Sequence, residues 1–288
     1  VPLDPIPSRQ KAHLKDVLPL MADLNANLVR VWGGGVYEPE EFFDWCDRNG
    51  VLVWQDFMNA CAVPPMDDAF AEAMKREVTS VVLQFRNHAS LALWAGDNEN
   101  DQARMWSNGW RLRRDPSKNR INREVIPRVL HELDVTRPYL PSSPLVTHEA
   151  HLGLAEPAED HLWGGANGWW KTDYFLKAPC WFCSEGGAYA IPARRSLERM
   201  MGRAAAEKPW VNPDVKDWRH LRWTNEWAYR GTNPHLDEHD YLMHRNDIAM
   251  SQCAALFGDV PRHDLDLFIA QSQSAQAEAI KFQLENFR

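Results

Sequence analysis

The sequence is short of several things at once, and each shortage removes a class of function. Five cysteines, at positions 46, 61, 180, 183 and 253 of 288 residues, are too few and too scattered for a disulfide framework. They read as reduced or buried thiols. No apolar run approaches the roughly 20 residues of a membrane-spanning helix. Lys and Arg (32) are outnumbered by Asp and Glu (40), a formal net charge of −8, whereas nucleic-acid binding leans on clustered cations to neutralise phosphates. A dinucleotide fingerprint is also missing: Gly33, Gly34 and Gly35 lack the G-x-G-x-x-G spacing and lead into Glu38-Pro39-Glu40-Glu41, which would repel a pyrophosphate. Neither a membrane, nor a nucleic acid, nor a cofactor is expected. The sparse cysteines and the lack of a signal-type segment favour a cytoplasmic setting.

What is abundant is tryptophan, fourteen in all. Indole rings suit the apolar faces of sugars, but they equally fill large cores. Apolar spacing predicts a helix capped by Ser8 through Leu14, Val17, Leu18, Met21 and Leu24, then a strand over 27–32. Pro39 and Gly50 bracket a second helix, followed by a strand over 51–57. A third helix over 68–87 precedes a strand over 91–95, and a fourth over 119–133 precedes one at 137–140. Residues 141–170 read as long loops around a short strand at 161–163. A strand at 180–184 and two long helices, around 238–256 and 264–287, complete the pattern.

Strands apolar on both faces that alternate with helices imply a parallel sheet, and their persistence favours a (β/α)8 barrel. Only about six strands are evident, where closure takes eight. In such a barrel the chemistry sits at the carboxyl ends of the strands. Two of them end on a glutamate in similar settings, Gly96-Asp97-Asn98-Glu99 and Cys183-Ser184-Glu185-Gly186-Gly187. A pair of carboxyls can cleave a glycosidic bond, one as acid and one as nucleophile, with about 5 to 5.5 Å between them if configuration is retained.

The segments Asn27 to Glu38, Val51 to Met58, Asn98-Glu99 and Ser184-Glu185-Gly186, with Asp264-Leu265-Asp266-Leu267-Phe268 and the Gln-rich helix after it, resemble glycoside hydrolase family 2, in its β-mannosidase branch. That resemblance implies a retaining glycosidase with Glu99 as acid/base and Glu185 as nucleophile. Asn98 would hold the sugar 2-hydroxyl and Arg30 would orient the nucleophile. Trp32, Trp54, Asp56 and Trp163 would line the sugar subsite, with Tyr174 a further candidate. It also implies a single catalytic (β/α) barrel domain over residues 1–288, with the first and eighth strands not evident. Flanking β-sandwich domains of a larger enzyme would then accompany it, and the partner would be an oligosaccharide or glycoside.

Two departures adjoin the catalytic pair: Asp97 where the family usually has Asn, and Gly186-Gly187 where it has Gly after Phe. They leave open another β-glycosidase of the family, acting on glucosaminides, galactosides or glucuronides, and a non-catalytic carbohydrate-binding remnant. Three further signals read as structural. Cys180 and Cys183 point to opposite sides of a strand, His235 and His239 sit at a solvated helix start, and His148 and His151 lie in a loop region.

Overall fold

The computed structural model describes residues 4, 6–106, 115–163, 173–178, 180–224, 227 and 241–286. It divides into two compact units, residues 1–160 with 179–184, and residues 161–178 with 185–288.

The first unit is built on a parallel sheet of four strands in sequential order. These are β1 (Leu28–Val31), β2 (Leu52–Asp56), β3 (Leu91–Ala95) and β4 (Tyr139–Leu140). Helix α1 (Pro7–Asp23) precedes β1, and α2 (Glu40–Asn49) and α3 (Asp68–Phe85) separate the first three strands. Between β3 and β4 run α4 (Asn100–Trp106) and a π-type turn (Ile121–Val125) that passes into α5 (Ile126–Leu133). The register pairs Leu28 with Leu52 and Arg30 with Trp54 across β1 and β2, so the polar face of β1 is carried onto β2.

Local chemistry accounts for these boundaries. Helix α1 starts at Pro7, one residue before the predicted Ser8 cap, with Ile6 at the cap position and no side chain capping it. Proline's fixed φ suits the first helical position, where its missing N–H costs nothing. Helix α2 has Glu40 and Glu41 in its first turn, and Gly50 closes it in the left-handed region (φ 68°). Asp67 caps α3 by accepting the Phe70 N–H at 2.8 Å. The buried stripe of α3, Met74, Val78, Val81, Val82 and Phe85, repeats at three and four residues and packs into one core with Val31, Val53, Leu91 and Trp94. Phe43 is fully buried there, stacked on Phe85 at 4.2 Å, and truncating it to Ala would cost about 3–5 kcal/mol.

Downstream, α6 (His148–His151) leads to a two-stranded sheet of β5 (Glu159–Leu162) and β6 (Phe182–Gly186), and α7 (Asp173–Leu176) lies between those strands in sequence. The division between the units falls within β5 and β6. Both strands sit about two residues from their predicted positions. In consequence Trp181 precedes β6 and is 93% exposed.

The second unit contains α8 (Arg194–Met201), α9 (Arg203–Ala206), α10 (Tyr241–Phe257) and α11 (Leu265–Asn286). Its core is aromatic. Trp210 lies flat on Phe268 at 4.0 Å, with Trp223 and Trp227 tilted around it, and Leu197, Met250, Cys253 and Ile269 fill the same cluster. Burial pushes the Cys253 thiol up to about 12, so it behaves as a small apolar filler. Three of the tryptophans therefore serve packing. No helix among the described residues is long and apolar enough to cross a membrane.

Candidate active site

In the first unit, the ends of β1, β2 and β3 bring Arg30, Trp54, Asp56, Asn98 and Glu99 into one hydrogen-bonded group. Arg30 grips Asp56 with a fork, Nε to Oδ1 at 3.3 Å and Nη2 to Oδ2 at 2.8 Å. Trp54 Nε1 and the Gly33 N–H also donate to that carboxylate, at 2.8 and 3.0 Å. Burial raises Asp56 above the ordinary carboxylate range, opposed by Arg30 and by these donors. Residue 33 must be glycine: a Cβ there would stand 2.7 Å from the Phe57 carbonyl oxygen. Trp32 folds its ring over Gly34, where a Cβ would collide with it.

Arg30 Nη2 also donates to Asn98 Oδ1 at 2.8 Å, and Asn98 Nδ2 donates to Cys61 Sγ at 3.3 Å. The amide is thus fixed in one orientation. The next residue, Glu99, adopts φ 61°, a left-handed conformation costly for a residue with a Cβ. Backbone bonds hold it there: the Glu99 N–H reaches the Ser143 carbonyl at 2.7 Å, and the Asn98 N–H reaches Asn59 O at 2.9 Å. Cys61, itself at φ 52°, places Sγ 3.4 Å from Glu99 Oε2. Glu99 is 8% exposed.

Beneath this corner lies Asp97, fully buried. It accepts from Ser142 Oγ at 2.6 Å, from the Asn100 N–H at 3.2 Å and from Asn122 Nδ2. Burial lifts Asp97 well above the usual carboxylate range, and nearby Asp101 adds to the effect. Asp101 has its own cation in Arg123, through bonds of 3.0 and 2.6 Å.

In the second unit, Glu185 Oε1 accepts the Trp163 Nε1–H at 2.7 Å, and His161 Nδ1 stands 3.8 Å from the same oxygen. The Trp163 ring stacks on Tyr189 at 5.3 Å and lies against Gly187, where a Cβ would approach it to 3.1 Å. Helix α11 fastens the segment after Glu185: Gln276 Nε2 donates to Ala188 O at 2.8 Å, and Ser272 Oγ accepts the Ile191 N–H at 3.1 Å. Tyr174 sits on α7 with its ring edge-on to Phe175.

No family model matches the chain. It is 34% identical over 208 residues to β-mannosidase B of Thermothelomyces thermophilus, a match covering 67% of this chain and 24% of the relative. With the β-mannosidase of Bos taurus it shares 33% over 228 residues, 73% of this chain and 25% of the relative. The crystal structure of the β-D-mannosidase of Dictyoglomus thermophilum superposes with a TM-score of 0.76 at 28% identity, covering 99% of this chain and 32% of that one. The chain is a β-mannosidase-like region of glycoside hydrolase family 2. It spans about a quarter of the length of the curated relatives it matches. An exo-chitosanase of Amycolatopsis orientalis shares the fold, with a TM-score of 0.59 at 20% identity.

Several polar residues of this β-mannosidase-like region escape a reading of the sequence alone. His161 and Glu159 fall on the same face of β5, and Trp163 follows the strand's last residue, Leu162. Asp97 and Cys61 carry no comparable signal, because their partners lie far away in sequence. Of the weaker signals, Cys180 and Cys183 form no disulfide, His148 pairs with Asp115 at 3.2 Å, and His235 and His239 lie outside the described residues. Asp44, Asp47 and His88 come close enough to share an ion, but the His88 ring already faces Asp47 at 2.8 Å and Glu40 at 3.4 Å.

Proposed function

We propose that this region is the catalytic portion of a retaining β-mannosidase and contributes most of a (β/α)8 barrel as a single catalytic domain. Glu99 delivers a proton to the leaving oxygen while Glu185 attacks the anomeric carbon. Water, deprotonated by Glu99, then releases the sugar from the covalent glycosyl-enzyme. Arg30 fixes Asn98 Oδ1 and leaves an Nδ2 hydrogen to donate to the sugar 2-hydroxyl, a bond that strengthens in the transition state. Asp56 holds Arg30 in place, and Trp32, Trp54, Trp163 and Tyr174 supply ring surface for the sugar.

The observation that carries this reading is the conformation of Glu99. A glutamate forced into the left-handed region, beside an amide oriented by a buried Arg–Asp pair, reflects backbone strain of the kind retained where placement of a group matters. Nitrophenyl β-glycosides of mannose, glucose, galactose, glucosamine and glucuronic acid test it on the protein that carries this chain. The mannoside is expected to turn over fastest, with the anomeric configuration of the product retained by NMR. Glu185→Ala abolishes turnover, and Glu99→Ala lowers it by about 10²- to 10⁴-fold on poor leaving groups. Undiminished activity in Glu185→Ala would sink the assignment.

A further inference from the structure

We infer that Glu159 is a positioning residue that sets the backbones of both catalytic glutamates through one carboxylate; this rests on the assignment of Glu99 and Glu185 given above. Glu159 Oε1 accepts from Ser143 Oγ at 2.6 Å and also from Ser184 Oγ. Oε2 accepts the Leu145 N–H at 3.3 Å. All of these residues belong to the first unit.

Each serine has a consequence one step away. The Ser143 carbonyl receives the Glu99 N–H at 2.7 Å, and the Ser143 N–H reaches back to Asp97 O at 3.3 Å. Ser143 therefore brackets the turn that drives Glu99 into φ 61°. Ser184 is joined by a peptide bond to Glu185. A rotation of the Glu159 side chain would move the acceptor of both hydroxyls together, and with it the ends of β4 and β6.

The chemistry of the junction calls for this residue type. Two hydroxyl donors converge on a single oxygen, which needs two lone pairs and gains from negative charge. A backbone N–H on the second oxygen prevents the carboxylate from swinging. A glutamine in its place keeps the doubly accepting oxygen but turns an NH₂ towards the Leu145 N–H. An alanine removes the acceptor that the two hydroxyls share and that of the Leu145 N–H; Ser184 Oγ also reaches Asp160 O at 3.4 Å.

Displacement of the reacting carboxyls need not alter which sugar binds, yet it degrades the approach of reacting atoms, where a misplacement of about 1 Å can cost about 10²-fold in rate. Glu159→Ala is therefore expected to lower kcat on a nitrophenyl β-mannoside by about 10²-fold with KM near wild type, while Glu159→Gln recovers most of that loss. On a dinitrophenyl mannoside, whose first step needs no proton from Glu99, the burst rate falls, because the nucleophile is displaced as well as the acid. The single variants divide the effect. In the burst that reports the first step, Ser143→Ala acts chiefly on poor leaving groups, and Ser184→Ala acts on good and poor ones alike.

Crystal structures of wild type and Glu159→Ala supply a readout independent of activity, with Glu99 expected to leave the left-handed region in the variant. Wild-type kcat in Glu159→Ala overturns the inference, as does an unmoved Glu99 backbone. Should Glu159→Ala fail to fold, wild-type kcat in both serine variants overturns it equally. Turnover in Glu185→Ala would instead discredit the catalytic assignment, leaving the crystallographic comparison to decide what Glu159 holds.

Discussion

The two units hold their expected catalytic glutamates in different ways. Around Glu99, the first unit places a network of charged and amide groups in which nearly every member is buried and has a named partner. Arg30, Asp56, Asn98, Asp97 and Ser142 all belong to it. In the second unit, the Trp163 N–H donates to Glu185 and His161 Nδ1 stands 3.8 Å from the same oxygen. Its structural effort goes into an aromatic core of Trp210, Phe268 and their neighbours. The first unit thus builds with buried polar groups and the second with aromatic packing, and a proton donor that must reach a leaving group profits from a rigid polar corner.

Cutting the strongest member of the first network should have the largest effect. Arg30→Met leaves Asp56 buried without its cation, a change expected to cost about 3–5 kcal/mol. Urea denaturation would measure it, and a loss within experimental error would show that the corner is not built on this pair. A smaller effect is expected in the second unit. Trp163→Phe keeps the stack on Tyr189 but removes the N–H to Glu185, so kcat should fall by roughly tenfold, as for a lost hydrogen bond to a charged group of about 1.5 kcal/mol, with little change in stability. Equal damage to stability would mean that the second unit also relies on its polar contacts.

The third test is electrostatic. Because burial holds Asp97 above its ordinary range, the stability it contributes is complete below the unfolded pKa and is lost as pH rises towards the folded one. Asp97→Asn cannot ionise. Its Tm, followed upward from about pH 4, should decline less than that of wild type as pH rises, and parallel curves would contradict the assignment.

Much of the fold was legible in apolar spacing. All four strands of the parallel sheet lie within the predicted runs, and Leu91–Ala95 matches throughout. The helix caps at Asp67 and Gly50 follow from local chemistry. Helix α4 was missed because Asn100, Asp101 and Gln102 make its first turn read as loop. Strand-end placement singles out Glu99 and Glu185, whereas their roles, and Arg30 and Asn98, come from the resemblance. Glu159 stayed hidden because its partners are 16 and 25 residues away, and a hydroxyl meeting a carboxylate across strands leaves no periodic trace.

The backbone of Glu99 has one more consequence. Glycine visits φ near 60° without the penalty that a Cβ incurs, about 1–2 kcal/mol. Glu99→Gly should therefore relax the corner and gain up to about 1 kcal/mol once the looser unfolded chain is subtracted, while removing the proton donor. A calorimetric melt would show whether the disabled protein outlasts the working one. If it does, part of this protein's fragility is the cost of keeping one carboxyl where a substrate can use it, and a chain selected for durability alone would drift towards inactivity at that position.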